Sequence, residues 1–151
     1  EWYNAIEEAN EAIDMNINTD IQGFDIDENV IKIARQNAIN AGVDKLVHFQ
    51  KRDVKELSHS GKYGFVITNP PYGERLEEKE ALPPIYTALG KQFAKLDSWS
   101  AYVITSYTDI EKYFGRKADK NRKIYNGMLK TYFYSFLGPR PPKKKDIRFE
   151  K

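Results

Sequence analysis

Tyr63-Gly64-Phe65-Val66-Ile67-Thr68-Asn69-Pro70-Pro71-Tyr72 is the stretch on which the reading of this chain turns. Phe65 to Thr68 is a short apolar run bounded by turn residues, the mark of a buried strand. Proline fixes its own φ and restricts the residue before it, so Asn69 is held extended. The Asn69 side-chain oxygen and the Pro70 carbonyl then stand as two acceptors at set positions. Together they suit both hydrogens of a planar NH2 group, and Tyr72 suits the flat ring that carries it. In α/β sheets ligands collect at the carboxyl ends of strands, so these four residues point to chemistry on a planar amine. An ordinary Pro-rich turn is the plainer alternative. Four matching residues at a strand end weigh against it.

Working outward, strand and helix patterns alternate. Trp2, Ile6, Ala9 and Ile13 have helical spacing. Ile21 to Ile26 reads as a short strand, and Asp27 as the cap of a helix with Val30, Ile31, Ala34, Ala38 and Ala41 on one face, stopped by Gly42. Leu46 to Phe49 is a second strand, ending near Asp53. A helix is expected from Pro84 to Leu96 with Ile85, Leu89 and Phe93 on its stripe, then a strand from Trp99 to Thr105 and a short helix from Asp109 to Phe114. Lys123-Ile124-Tyr125 and Leu129 to Leu137 flank Asn126-Gly127, a hairpin signal. The order implies an α/β fold: a mostly parallel, Rossmann-like sheet with a C-terminal antiparallel hairpin. Residues 1–137 are read as the domain and residues 138–151 as a basic, Pro-rich tail.

Composition narrows the class. The 151 residues are 40% hydrophobic and 30% charged with net charge +2, ordinary for one globular domain. With no cysteine there are no disulfides or thiolate metal sites, which fits a reducing, cytoplasmic setting. The two histidines lack metal-ligand spacing, so no metal is expected. No run approaches the ~20 apolar residues of a membrane span.

Two aspartates stand at strand ends. Asp25 can accept bonds from the vicinal hydroxyls of a ribose. Its plainer role is a helix cap, for which Asp27 is better placed. Asp53 can accept a bond from an adenine amino group, with Val54 on the ring; its plainer role is a surface charge. Gly73 permits close approach to a ligand. Arg75 can hold a phosphate or pair with an acid. Arg116 to Lys123, and later Arg140 with Lys143-Lys144-Lys145, are basic clusters that are solvated by default and suited to RNA phosphates as the sharper option.

On these residues the chain resembles the RNA methylases associated with THUMP domains, which include the bacterial 23S ribosomal RNA guanine-N2 methyltransferases. The resemblance runs from Gly23-Phe24-Asp25-Ile26-Asp27 through Arg52-Asp53-Val54 to Thr68-Asn69-Pro70-Pro71-Tyr72-Gly73-Glu74-Arg75-Leu76. It continues at Phe114-Gly115-Arg116-Lys117-Ala118-Asp119, Tyr125-Asn126-Gly127 and Gly138-Pro139-Arg140-Pro141-Pro142. It implies a class I methyltransferase fold with S-adenosylmethionine as donor. Asp25 and Ile26 would lie at the ribose, Asp53 and Val54 at the adenine, and Asn69, Pro70, Pro71 and Tyr72 at the target amine. Asn69 would also border the donor, and Tyr72, Gly73 and Arg75 the substrate. The expected reaction is methylation of an exocyclic amine of RNA, guanine N2 of 23S rRNA first. Adenine N6 in DNA and glutamine N5 in a protein are the rival substrates, and a non-catalytic RNA-binding module is the rival of another class.

The family's first strand, its glycine-rich donor loop and its THUMP region have no counterpart here and are expected before Glu1. Without them the chain by itself is expected to be weak or silent as a catalyst. In that fold the first strand lies between the strands ending at Asp25 and Asn69. Those two strands are therefore not expected to pair with each other.

Overall fold

The computed structural model describes residues 1–14, 16–72 and 80–142. The chain divides into two compact units, Glu1–Arg52 and Asp53–Lys151. In the first unit α1 is Trp2–Glu11, β1 Ile21–Asp25, α2 Glu28–Asn40 and β2 Val47–Lys51. β1 and β2 pair in parallel from Ile21↔Val47 to Asp25↔Lys51, with α2 as the crossover. Asp27 starts α2, its carboxylate accepting the Asn29 amide at 2.8 Å. Ile31 and Ala38 bury the inner face of the helix. Arg35 donates two hydrogen bonds, at 3.2 and 2.8 Å, to the Phe49 carbonyl and so ties α2 to β2. α1 has the expected amphipathic spacing but buries none of it: Trp2 is 75% exposed.

The second unit opens with a 3-10 turn, Val54–Glu56. β3 (Phe65–Thr68), α3 (Leu82–Phe93), β4 (Ser100–Thr105), α4 (Ile110–Phe114), β5 (Lys120–Asn126) and β6 (Leu129–Phe136) follow. The sheet order is β3-β4-β6-β5. β3 and β4 are parallel, and β6 runs antiparallel to both β4 and β5. The fold is thus α/β with parallel pairs and a C-terminal antiparallel ribbon. β1 and β3 lie in separate sheets and share no ladder.

Two elements start two or more residues before the expected position. α3 begins at Leu82, with Pro83 and Pro84 inside its first turn, where amides have no helical partner to lose. β5 begins at Lys120, three residues before the hydrophobic signal, because Lys120 pairs with Ser135 and Asn121 with Tyr134. The buried stripe of α3 is also shifted. Leu82, Tyr86, Leu89 and Phe93 face the core, while Ile85 is only half-buried.

The core lies between one face of the sheet and α3 with α4. Ala101, Val103, Tyr134 and Phe136 meet Leu82, Tyr86, Leu89, Phe93, Ile110 and Phe114 there. The helices approach so closely at Gly90 that a Cβ would stand 2.1 Å from the Phe114 carbonyl oxygen. The opposite face carries Phe65 and Ile67, 65% and 78% exposed, beside Tyr102 and Phe133. The two edges of the sheet also differ. β5 is guarded by Lys120, Arg122 and Lys123, the usual defence of an unpaired edge. β3, Phe-Val-Ile-Thr, carries no charge and pairs on one side only among the described residues.

Candidate active site

Asn69 follows Thr68, the last residue of β3, as the strand position predicted. Its side chain is exposed and is not turned into the core. The Tyr72 hydroxyl donates to the Asn69 side-chain oxygen, so the turn closes on itself. Pro71 lies on the path between these two residues, and its carbonyl accepts from the Tyr86 hydroxyl at 3.1 Å.

Tyr86 opens a line of hydrogen bonds that runs from the turn into the core. Its oxygen lies 2.5 Å from Thr105 Oγ1, and Thr105 Oγ1 accepts the Tyr107 amide at 3.0 Å. Tyr86 has one proton, and that proton serves Pro71. The Thr105 hydroxyl must therefore donate to Tyr86. Burial pushes the Tyr86 phenol up to about 12, against a smaller opposing effect of the Thr105 hydrogen bond. Tyr86 therefore stays a neutral donor at ordinary pH. The Tyr107 ring packs 4.9 Å from that of Tyr86, and burial raises the Tyr107 phenol as well. The turn bearing Asn69 is thus fastened from beneath by side chains of α3 and β4.

The two aspartates share one local geometry. Asp25, half-buried at the end of β1, accepts the Asp27 amide at 2.8 Å through one carboxylate oxygen. Asp53, half-buried after β2, accepts the Lys55 amide at 2.9 Å in the same way and caps the 3-10 turn. In each case one oxygen orients the carboxylate, and the second has no partner among the described residues. Ile26 is exposed next to Asp25. Val54 packs partly against the core. Asp25 and Ile26 belong to the first unit; Asp53, Val54, Asn69, Pro70, Pro71 and Tyr72 belong to the second. Gly73 and Arg75 lie outside the described residues. A trough of about 540 Å³ on the outer side of α3, lined by Lys55, Pro84, Thr87 and Lys91 among others, contains none of the candidate residues.

Tyr86 and Thr105 were not singled out by sequence. A tyrosine at helical spacing among Leu82, Leu89 and Phe93 reads as core, and nothing local reveals that its hydroxyl reaches back 15 residues to Pro71. Of the basic clusters, Arg116 is partly committed: it pairs with Asp119 at 2.6 Å and donates to the Leu137 carbonyl. The Leu137 amide, with Arg116 behind it, holds the Asp119 carboxyl below the ordinary range.

A family model described as RMKL-like, methyltransferase domain, matches residues 1–134. The chain belongs to this family. Among curated relatives, "Putative RNA methyltransferase YpsC" of Bacillus subtilis (strain 168) is 39% identical over 145 residues, 95% of this chain and 38% of its own length. The ribosomal RNA large subunit methyltransferase K/L of Shewanella baltica (strain OS185) is 34% identical over 136 residues, 87% of this chain and 19% of its own. The solved structure of SMU.472, crystallised with SAH, superposes with a TM-score of 0.85 at 41% identity, over 93% of this chain and 37% of that one. The chain therefore spans less than two fifths of the length of these relatives. No helix among the described residues is long and apolar enough to cross a membrane.

Proposed function

We propose that this RMKL-like domain is the catalytic portion of an S-adenosylmethionine-dependent RNA methyltransferase acting on an exocyclic base amine, guanine N2 of 23S ribosomal RNA in the first instance. The observation that carries the reading is the exposed Asn69 at the carboxyl end of β3, in a turn fastened by Tyr86. Relatives named as an RNA methyltransferase and a ribosomal RNA methyltransferase support the substrate class.

The residues present fit the donor. A relative with the same fold is crystallised with SAH, the demethylated donor. Asp25 offers one free carboxylate oxygen, suited to the ribose hydroxyls, and Asp53 offers another, suited to the adenine amine. Ile26 and Val54 supply apolar neighbours. When bound, the donor supplies an electrophilic sulfonium methyl group. What remains for the protein is positioning. Asn69 and the Pro70 carbonyl take the two amine hydrogens, bonds that strengthen as the nitrogen gains positive charge on attack. The target amine takes the place of the Tyr72 hydroxyl on Asn69. Tyr72, once released, is free to stack on a base flipped out of its helix. Gly73 and Arg75 are proposed to border the substrate. The proposed partners are RNA and the upstream part of the same protein, with the first strand, the donor loop and a THUMP region, in the cytoplasm.

The test is mass spectrometry of nucleosides from ribosomal RNA of cells with and without the complete gene. Loss of N2-methylguanosine is expected. Loss of N6-methyladenosine instead would move the target to adenine, and an unchanged nucleoside profile would reject RNA as substrate.

A further inference from the structure

The β5–β6 ribbon outruns the rest of its sheet. Thr105 ends β4 and pairs with Tyr132. Beyond that pair, Ile124↔Thr131, Tyr125↔Lys130 and Asn126↔Leu129 continue with no third strand beside them among the described residues. Thr68 pairs with Val103 in the parallel β3–β4 ladder, so Asn69 leaves the sheet at the end where Thr105 also stops. The ribbon tip therefore projects from the same end of the sheet as the Asn69–Tyr72 turn. Gly127 makes this tip tight. Its φ of +61° at the first central position suits a two-residue hairpin turn.

One face of the ribbon carries an alternating square of side chains. Residues opposite each other in an antiparallel ladder share a face, as do residues two apart on a strand. Lys123 lies opposite Tyr132, and Tyr125 opposite Lys130. Lys123 Nζ is 5.8 Å from the Tyr125 ring centre, and Lys130 Nζ is 5.3 Å from that of Tyr132. Thr105, opposite Tyr132, places this face on the side of the Tyr86 network. Tyr125 is 63% exposed, and Met128 at the tip is fully exposed. There is no Asp or Glu from Lys120 to Phe136. Core packing does not explain Tyr125, which is exposed and whose ladder partner Lys130 lies beyond the last β4–β6 pair.

The exposed Tyr125 ring, flanked by two ammonium groups and continued inward by the core-packed Tyr132, matches one chemistry best. An unpaired nucleobase stacks on an aromatic ring while its phosphates meet the cations. A duplex hides its base faces, and an acidic peptide offers no flat ring. We propose that the Lys123–Tyr125–Lys130–Tyr132 face of the ribbon is a platform for single-stranded RNA flanking the base presented to Asn69. Tyr125 stacks on a neighbouring base, and Lys123 and Lys130 hold phosphates. This rests on the RNA-methylation reading above and names where that substrate lies.

The experiment uses the complete gene product and fluorescence anisotropy with a labelled, mixed-sequence 12-nucleotide single-stranded RNA. A blunt duplex of the same strand is run beside it. The Lys123→Gln/Lys130→Gln pair should bind the single strand about tenfold more weakly and lower the slope of log affinity against log salt by roughly 1.4, two contacts at about 0.7 each. Tyr125→Ala should lose about tenfold, and Tyr125→Phe should bind like wild type, because stacking needs the ring and not the hydroxyl. Unchanged thermal midpoints would exclude misfolding. Single-strand binding within twofold of wild type in both the lysine pair and Tyr125→Ala overturns the platform. So does an equal loss on the duplex, or no binding by wild type. Methyl transfer to RNA is measured separately. If wild type methylates RNA while the variants bind normally, only the platform falls. If the variants bind weakly but wild type transfers no methyl group, only the methylation reading falls.

Discussion

Replacing Asn69 with alanine removes one of the two acceptors proposed for the target amine and nothing proposed for the ribose. Asn69→Ala should therefore lower kcat roughly 10²–10³-fold, the usual cost of losing one preorganised partner of the transition state, with affinity for S-adenosylmethionine little changed in calorimetry. Asp25→Ala should do the reverse. Donor affinity should fall roughly ten- to hundredfold, as expected for hydrogen bonds to a charged group, while kcat at saturating donor changes less. An Asn69→Ala enzyme with wild-type turnover would remove the turn from the mechanism. Tyr86 acts one step away. Tyr86→Phe leaves the Pro71 carbonyl and the Thr105 hydroxyl without their partner, at about 1–3 kcal/mol for a buried polar group left unmade. Turnover should fall about tenfold with donor affinity unchanged, because the turn that carries Asn69 loosens. The phenol also sets a pH limit. Its folded value is raised from 10.0 to about 12, so its contribution is complete below pH 10 and is lost as pH rises through 12. Urea unfolding should show wild type losing its advantage over Tyr86→Phe across that window, and a constant difference would contradict it.

At the scale of elements, the α3–α4 contact turns on Gly90. Alanine there would put a methyl group against the Phe114 carbonyl. The two helices would have to part, at about 1–3 kcal/mol or more. Gly90→Ala should lower the thermal midpoint by several degrees, and a neutral effect would mean that α4 yields freely. How well the elements could be foreseen follows from where their determinants lie. β3, β4 and α2 carry their own apolar pattern and end signals, so Phe65–Thr68, Ser100–Thr105 and the Asp27 cap were legible. The start of β5 was not. Lys-Asn-Arg-Lys has little strand preference, and only the ladder to Ser135, Tyr134, Phe133 and Tyr132 makes it a strand. Of the site, the Asn69–Tyr72 turn was legible because proline geometry is local. The fastening by Tyr86 and Thr105 was not, because it joins a turn, a helix and a strand distant in sequence.

For the whole molecule, the two units are unequally built. Glu1–Arg52 buries Ile31 and Ala38 as its apolar core, whereas Asp53–Lys151 buries Leu82, Tyr86, Leu89, Val103, Ile110, Phe136 and others. Local stability follows buried apolar contact. Hydrogen exchange on residues 1–151 should therefore protect β4 and β6 far longer than β1 and β2, and equal protection would refute that ranking. The uncharged edge of β3 has a practical result at the bench. The backbone amides and carbonyls of Phe65–Thr68 that point away from β4 have no ladder partner among the described residues and can recruit another copy, whereas the cationic edge of β5 repels one. Solutions of the isolated 151-residue chain should scatter light increasingly as they are concentrated. A single lysine in place of Ile67 should keep them clear, which makes this strand the first place to look when preparations cloud.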